Sequence, residues 1–202
     1  MLTMTMTAVL NTAPAAWLTQ DPAPWDQVTG FGPSVFEAYA RLRLIPDPVS
    51  PDQSATDHGT PEANPDLNKL RTLVEKLLPH TTTPSHGYFC FWYGFTGVVE
   101  DVDFRCPPIR ESQLAEAPLV RLPHREYYLF EGPLEAIHQW QAGELLPAFV
   151  WPEDRAWCTA KDVDPHWVGI AAREQAVRTL LWSTDLDIVR ADPTTPQPFY
   201  RH

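Results

Sequence analysis

Glycine is scarce in this chain, with nine in 202 residues. A loop that cradles phosphate through bare backbone needs clustered glycines, and neither a P-loop nor a dinucleotide fingerprint occurs. The Gly-x-Ser-x-Gly elbow of hydrolases and the His-Glu-x-x-His helix of zinc proteases are missing too. The three cysteines (Cys90, Cys106, Cys158) are an odd count without a Cys-x-x-Cys pair. That excludes a disulfide framework and fits free thiols in a reducing cytoplasm. No stretch approaches the ~18 apolar residues of a membrane span. The start, MLTMTMTAVLNTAPAAW, carries no basic residue and Thr interrupts its apolar run, so it does not read as an export signal. Basic charge is short as well: 15 bases, three of them lysine, stand against 26 acids, for a net charge of −11. Such a surface repels phosphate backbones and anionic lipids, which disfavours nucleic-acid and membrane binding. A basic protein is the partner that this charge would steer in.

What the chain has in plenty is proline and aromatic rings. Twenty-two prolines predict short elements and many loops, since proline interrupts helices and ladders alike. Eight Trp, nine Phe and six Tyr, with 44% hydrophobic residues overall, supply the core of one globular domain. Residues 1–16 read as a loose tail, 17–192 as a single domain, and 193–202 as a Pro-rich C-terminal tail. Pro33 to Pro46 predicts a helix, with Pro33 at its first position and Phe36, Tyr39, Ala40 and Arg43 at helical spacing. An acidic solvated loop over 47–62 follows, holding three prolines and no apolar anchor, so its deletion should leave the fold intact. NPDLNKLRTLVEKLLPH is the best helix: Asn64 caps it, Pro65 opens it, and Leu67, Leu70, Leu73, Val74 and Leu77 line one face.

From Tyr88 the pattern changes. YFCFWYGFTGVVE is too continuous for a strand with one wet face and predicts a central strand covered on both sides. Strands are expected at APLVRLP, REYYLFEG, PAFVWP, AWCTAKDV, HWVGI and LDIVRAD. Helices are expected at GPLEAIHQWQAG, with Trp140 or Gln141 on one of its faces, and at AREQAVRTLLWS. Short connections favour antiparallel or mixed pairing. The expected fold is therefore α+β: a mostly antiparallel or mixed sheet with helices packed on one side and two helices N-terminal.

Several constellations of polar residues could carry chemistry. His80, His86 and Cys90 lack the doubled ligand spacing of a zinc site, and Cys90 falls within an aromatic strand, so no metal is expected. Glu100, Asp101 and Asp103 lack the Asp-x-Asp-x-Asp-Gly pattern of a calcium loop and read as a solvated turn. Cys158 with His138 or His166, oriented by Asp162 or Asp164, is the one enzymatic alternative. No catalytic residue or cofactor is assigned. A small-ligand pocket lined by the Tyr88–Phe95 aromatics is a further alternative.

The densest stretch is AFVWPEDRAWCTAKDVDPHWVGI. Pro152 leads a turn; in an extended strand Arg155 and Trp157 would share one face, with Ala156 and Cys158 on the other. Arg and Trp side by side suit a recognition surface, and Trp151, Asp154, Arg155 and Trp157 are the candidate partner-binding residues. The competing structural reading buries Trp157 under the last helix and makes Arg155 the clasp of the corner. The run from Tyr127 to Ile170 with its WPEDRAWC block resembles a group of uncharacterised actinobacterial proteins that carry W-P-x-D-R-A-W-C. More loosely, helices before an antiparallel sheet and an acidic surface resemble small immunity proteins of the SUKH superfamily. That resemblance implies a cytoplasmic, non-enzymatic protein-binding module, an immunity-like partner of a basic toxin.

Overall fold

The structure, a computed structural model, describes residues 6–58, 65–95, 117–139 and 146–200. Glu100, Asp101, Asp103, Cys106, Trp140, Gln141 and the Asn64 cap lie outside the described residues. One antiparallel sheet organises the chain, joining nine described strands in the order β1-β5-β3-β6-β7-β8-β2-β9, with β4 also paired to β5. They are β1 (Thr7–Ala8), β2 (Ala38–Arg43), β3 (Gly87–Trp92), β4 (Val120–Leu122), β5 (Arg125–Gly132), β6 (Phe149–Pro152), β7 (Trp157–Ala160), β8 (Trp167–Ala172) and β9 (Ile188–Ala191). The helices are α1 (Ala16–Thr19), α2 (Trp25–Phe31), α3 (Pro65–Leu77) and α4 (Glu174–Leu181). The fold is α+β.

Side chains alternate across each strand, so the sheet carries two cores. On one face Phe89, Phe91, Phe130, Val150, Val168 and Ile170 pack with the leucines of α3 and with Ala176, Val177 and Leu180 of α4. On the other, Cys90, Leu129, Phe149, Trp151, Cys158 and Ala171 pack with Leu18 of α1 and Val28 of α2. The two long helices share one face, as the patterning predicts, and the short pair covers the second. β3 sits between β5 and β6 with Phe89, Cys90 and Phe91 all buried, which is why its sequence shows no polar alternation. Trp92, at its end, is only half-buried.

Four expectations need correction. The helix over 33–46 is strand β2, running between β8 and β9. Its Ala38, Ala40, Leu42 and Leu44 bury on one face while Tyr39, Arg41 and Arg43 take the other, a period of two that outweighs the weaker helical spacing. Gly32–Pro33 does not open a helix but ends one: Gly32 closes α2 at φ 87°, and Cys158 Sγ would lie 3.0 Å from any Cβ there. The N-terminal tail is part of the domain from Met6 onward, since β1 pairs with β5 and Met6, Val9 and Ala15 are buried. The acidic loop also packs. Asp47 is bound by three side chains, and Tyr200 of the C-terminal segment donates a 2.6 Å hydrogen bond to Pro46 O with His58 Nε2 2.7 Å away. Deleting 47–62 would therefore strip a buried arginine of its counter-ion.

Candidate functional site

The corner between β6 and β7 follows from its sequence. β6 and β7 pair Phe149 with Ala160 and Val150 with Thr159, and the turn closes when Arg155 N–H donates to Pro152 O at 2.9 Å. Asp154 is the hub. Its carboxylate accepts from Thr81 Oγ1 (2.8 Å), Thr82 N (2.6 Å), Thr82 Oγ1 (2.7 Å) and Ala156 N (3.1 Å), while its own N–H donates to Thr83 Oγ1. Desolvation raises its pKa, but the hydrogen bonds from Thr82, Thr81 and Ala156 outweigh that and hold it below the usual carboxylate range. The turn is thereby tied to the segment ahead of β3.

The two tryptophans are not surface residues, and their assignment to partner contact is corrected. Trp151 is fully buried against Tyr88 (5.5 Å, stacked) and Trp17 (5.9 Å, edge-on). Trp157 is fully buried in the opposite core, opposite Ala172 and with the apolar face of α4 in the same cluster. Neither indole N–H makes a hydrogen bond among the described residues, and with both rings 0% exposed neither reaches the surface. Arg155 does not share a face with Trp157. A left-handed backbone (φ 54°) turns it out of the strand, and its guanidinium lies 5.2 Å over the Trp17 ring, in the other core's layer. Its remaining polar contact is a long 3.5 Å approach to Pro14 O. Asp154, not Arg155, is the clasp.

Sequence reasoning missed Trp17. A helix of four residues far away in the chain offers no local signal that its ring will support Arg155. Nor did it find the groove of about 830 Å³ beside the corner. Val35 to Glu37, Pro79 to Thr82, Asp154 to Ala156 and the start of α4 at Arg173 line it. Its acids are already engaged: Asp154 as above, and Glu37 Oε2 accepting from Glu174 N–H. Its arginines are not. Arg41, Arg43, Arg121, Arg125 and Arg190 each hold a carboxylate, whereas Arg155 and Arg173, like Arg71 and Arg178, form no ion pair among the described residues.

The thiol chemistry considered from sequence is not assembled. Cys158 is fully buried, its thiol is pushed up by desolvation, and its polar contact is Thr159 O. His138 faces Glu75 at 3.4 Å. His166 precedes β8, whereas Cys158 pairs with Ala171 further along that strand, and the His166 ring bonds Asp47 at 3.0 Å. Cys90 is likewise buried and raised by desolvation. Among the described residues no group of three or more His, Cys, Asp or Glu could hold a metal ion. His86 lies 3.4 Å from Glu131, away from any such set.

The roles at the corner separate in a thermal melt. Asp154→Ala is expected to cost about 2 kcal/mol, after discounting for its exposed setting. Arg155→Gly exchanges a cation–π contact of ~0.5–1 kcal/mol for relief of a left-handed backbone cost of ~1 kcal/mol and should melt like the parent. A larger loss for Arg155→Gly than for Asp154→Ala would return the clasp to the arginine.

The chain matches no protein-family model, and neither a curated protein nor a solved structure matches it. Among the described residues no helix is long and apolar enough to cross a membrane.

Proposed function

We propose that this chain is a non-enzymatic binding protein that receives a protein partner in the groove beside Pro152–Trp157, with Arg155 and Arg173 as the polar anchors. One observation carries the reading: Arg155 stands at φ 54° on an exposed corner where glycine would be cheapest, propped on Trp17 and without an ion pair among the described residues. The fold has little use for arginine there, and strain kept on a rigid corner is a pointer to function. A guanidinium with unspent donors in a fixed plane suits a carboxylate or an aromatic face on a partner. Val35, 71% exposed at the rim, adds apolar area. The net charge of −11 supports a partner that is basic overall, steered in at long range, with an acidic or aromatic residue seated in the groove. An immunity-like partner of a basic toxin is the specific form we propose. The setting is the cytoplasm, a reading supported by the free thiols Cys90 and Cys158.

The test is partner capture by cross-linking in native cell extract, comparing the parent with Arg155→Glu/Arg173→Glu. The parent should retain one basic protein in a salt-sensitive manner, and the double variant should lose it while melting normally. Equal capture by both would remove the groove from the interaction.

A further inference from the structure

A second concavity, of about 200 Å³, shares no lining residue with the groove. Its walls are the Trp92 indole, Leu146, Ala148 and Val163, and its polar groups are Tyr127, Lys161, Asp66 and Asp162. Asp162 is already spent: Arg125 grips it with Nε at 2.8 Å and Nη2 at 3.1 Å while lying 5.6 Å over Trp92. The other three polar groups have capacity left. Tyr127 is 1% exposed, yet its hydroxyl makes no hydrogen bond with any described residue. Burial, then the Asp162 charge, push its pKa up, so the hydroxyl remains a donor. Lys161 Nζ donates to Asp162 O and Pro165 O, each at 2.7 Å, leaving the third N–H of its ammonium unspent. Asp66, in the first turn of α3, forms no ion pair or hydrogen bond among the described residues.

The Tyr127 hydroxyl has no acceptor among the described residues and lines the cavity, so a ligand seated there can accept from it. An anion alone would meet Asp66, and a cation alone would meet Lys161. A molecule carrying both charges on one apolar body satisfies all three groups. We infer that this cavity binds a free amino acid with an apolar side chain, its carboxylate on Lys161 and Tyr127, its ammonium on Asp66, and its side chain against Trp92 and Leu146. The volume suits one molecule of the size of leucine or methionine.

Calorimetric titration with L-leucine, 4-methylpentanoate (no amine) and 3-methylbutylamine (no carboxylate) tests this. L-leucine should bind saturably, and each truncated analogue should bind at least roughly ten-fold more weakly, the loss of one charge-assisted hydrogen bond. Tyr127→Phe removes a hydroxyl that bonds to no described residue, so the variant should melt normally and bind L-leucine roughly ten-fold more weakly. Asp66→Asn should weaken L-leucine and the amine while strengthening 4-methylpentanoate, which no longer meets a like charge. The inference is overturned if L-leucine gives no saturable heat, or if either variant binds it as the parent does. Failure here would leave the groove and its two arginines untouched.

Discussion

Gly169→Ala is expected to destabilise the protein by at least about 3 kcal/mol, a fall of roughly 6–12 °C in melting temperature for a chain of this size. Gly169 lies in β8 where α2 crosses, and a Cβ there would collide with Gly30 O and stand 2.9 Å from Phe31 Cα. Both obstacles are backbone, so no rotamer change relieves them, and α2 would have to lift off the sheet. That would loosen the second core, because Val28 and the Gly32 turn over Cys158 ride on the same helix. The control is Gly30→Ala, whose Cβ meets only the Trp167 ring edge at 3.2 Å, and which gains helix propensity. It should melt within ~1 kcal/mol of the parent. Equal melts for both variants would show that α2 does not dock this closely.

Asp47→Ala should be comparably severe, at about 3–5 kcal/mol, because it leaves a buried charge uncompensated. Arg41 is 5% exposed and gives Asp47 a two-pronged contact, Nη1 at 2.8 Å and Nη2 at 3.1 Å; Arg43 and His166 complete the ring. Desolvation raises the Asp47 carboxyl, but hydrogen bonds from Arg41 and His166 and the charges of both arginines outweigh it and hold its pKa at about 2. Its folded pKa is thus depressed, so its stabilisation is fully present above the unfolded value of 3.8 and is lost as pH falls towards about 2. His166 acts in the same direction. Burial lowers it more than Asp47 raises it, so its contribution begins to fade once pH drops below 6.5. The gap in urea midpoint between the parent and Asp47→Ala should therefore stay wide from neutrality down to pH 4 and narrow between pH 4 and pH 2. A constant gap across that range would mean that the carboxylate's charge is not what holds Arg41.

The site was partly readable in the chain. Pro152 before two acids announced the turn, and Asp154 and Arg155 were singled out because their chemistry is visible in their names. Their roles were exchanged, however. Asp154 reads in the sequence as a recognition residue but is the tie to Thr81, Thr82 and Ala156, whereas Arg155 reads as a clasp but lies over Trp17 without an ion pair among the described residues. The strand-face argument for Arg155 and Trp157 failed because one residue in the left-handed region breaks the alternation on which it depends. Trp151 and Trp157 looked like recognition residues only while the β6–β7 pair had no layers above and below it.

By itself, the sequence determined what depends on neighbours a few residues away. The leucine stripe of α3, buried at 1% or less from Leu67 to Leu77, is set by a 3.6-residue period. The two-sided burial of β3 is set by an unbroken aromatic run, and the Pro152 corner by turn chemistry. Tertiary structure alone decided that Ala38–Arg43 is a strand, because its period of two gains only when β8 and β9 stand on either side of it. It alone placed Trp17 beneath Arg155, Asp47 between Arg41 and His166, and Gly30 against Gly169. Those contacts join residues far apart in the chain, and their free energy comes from burial shared between elements, which no local pattern records.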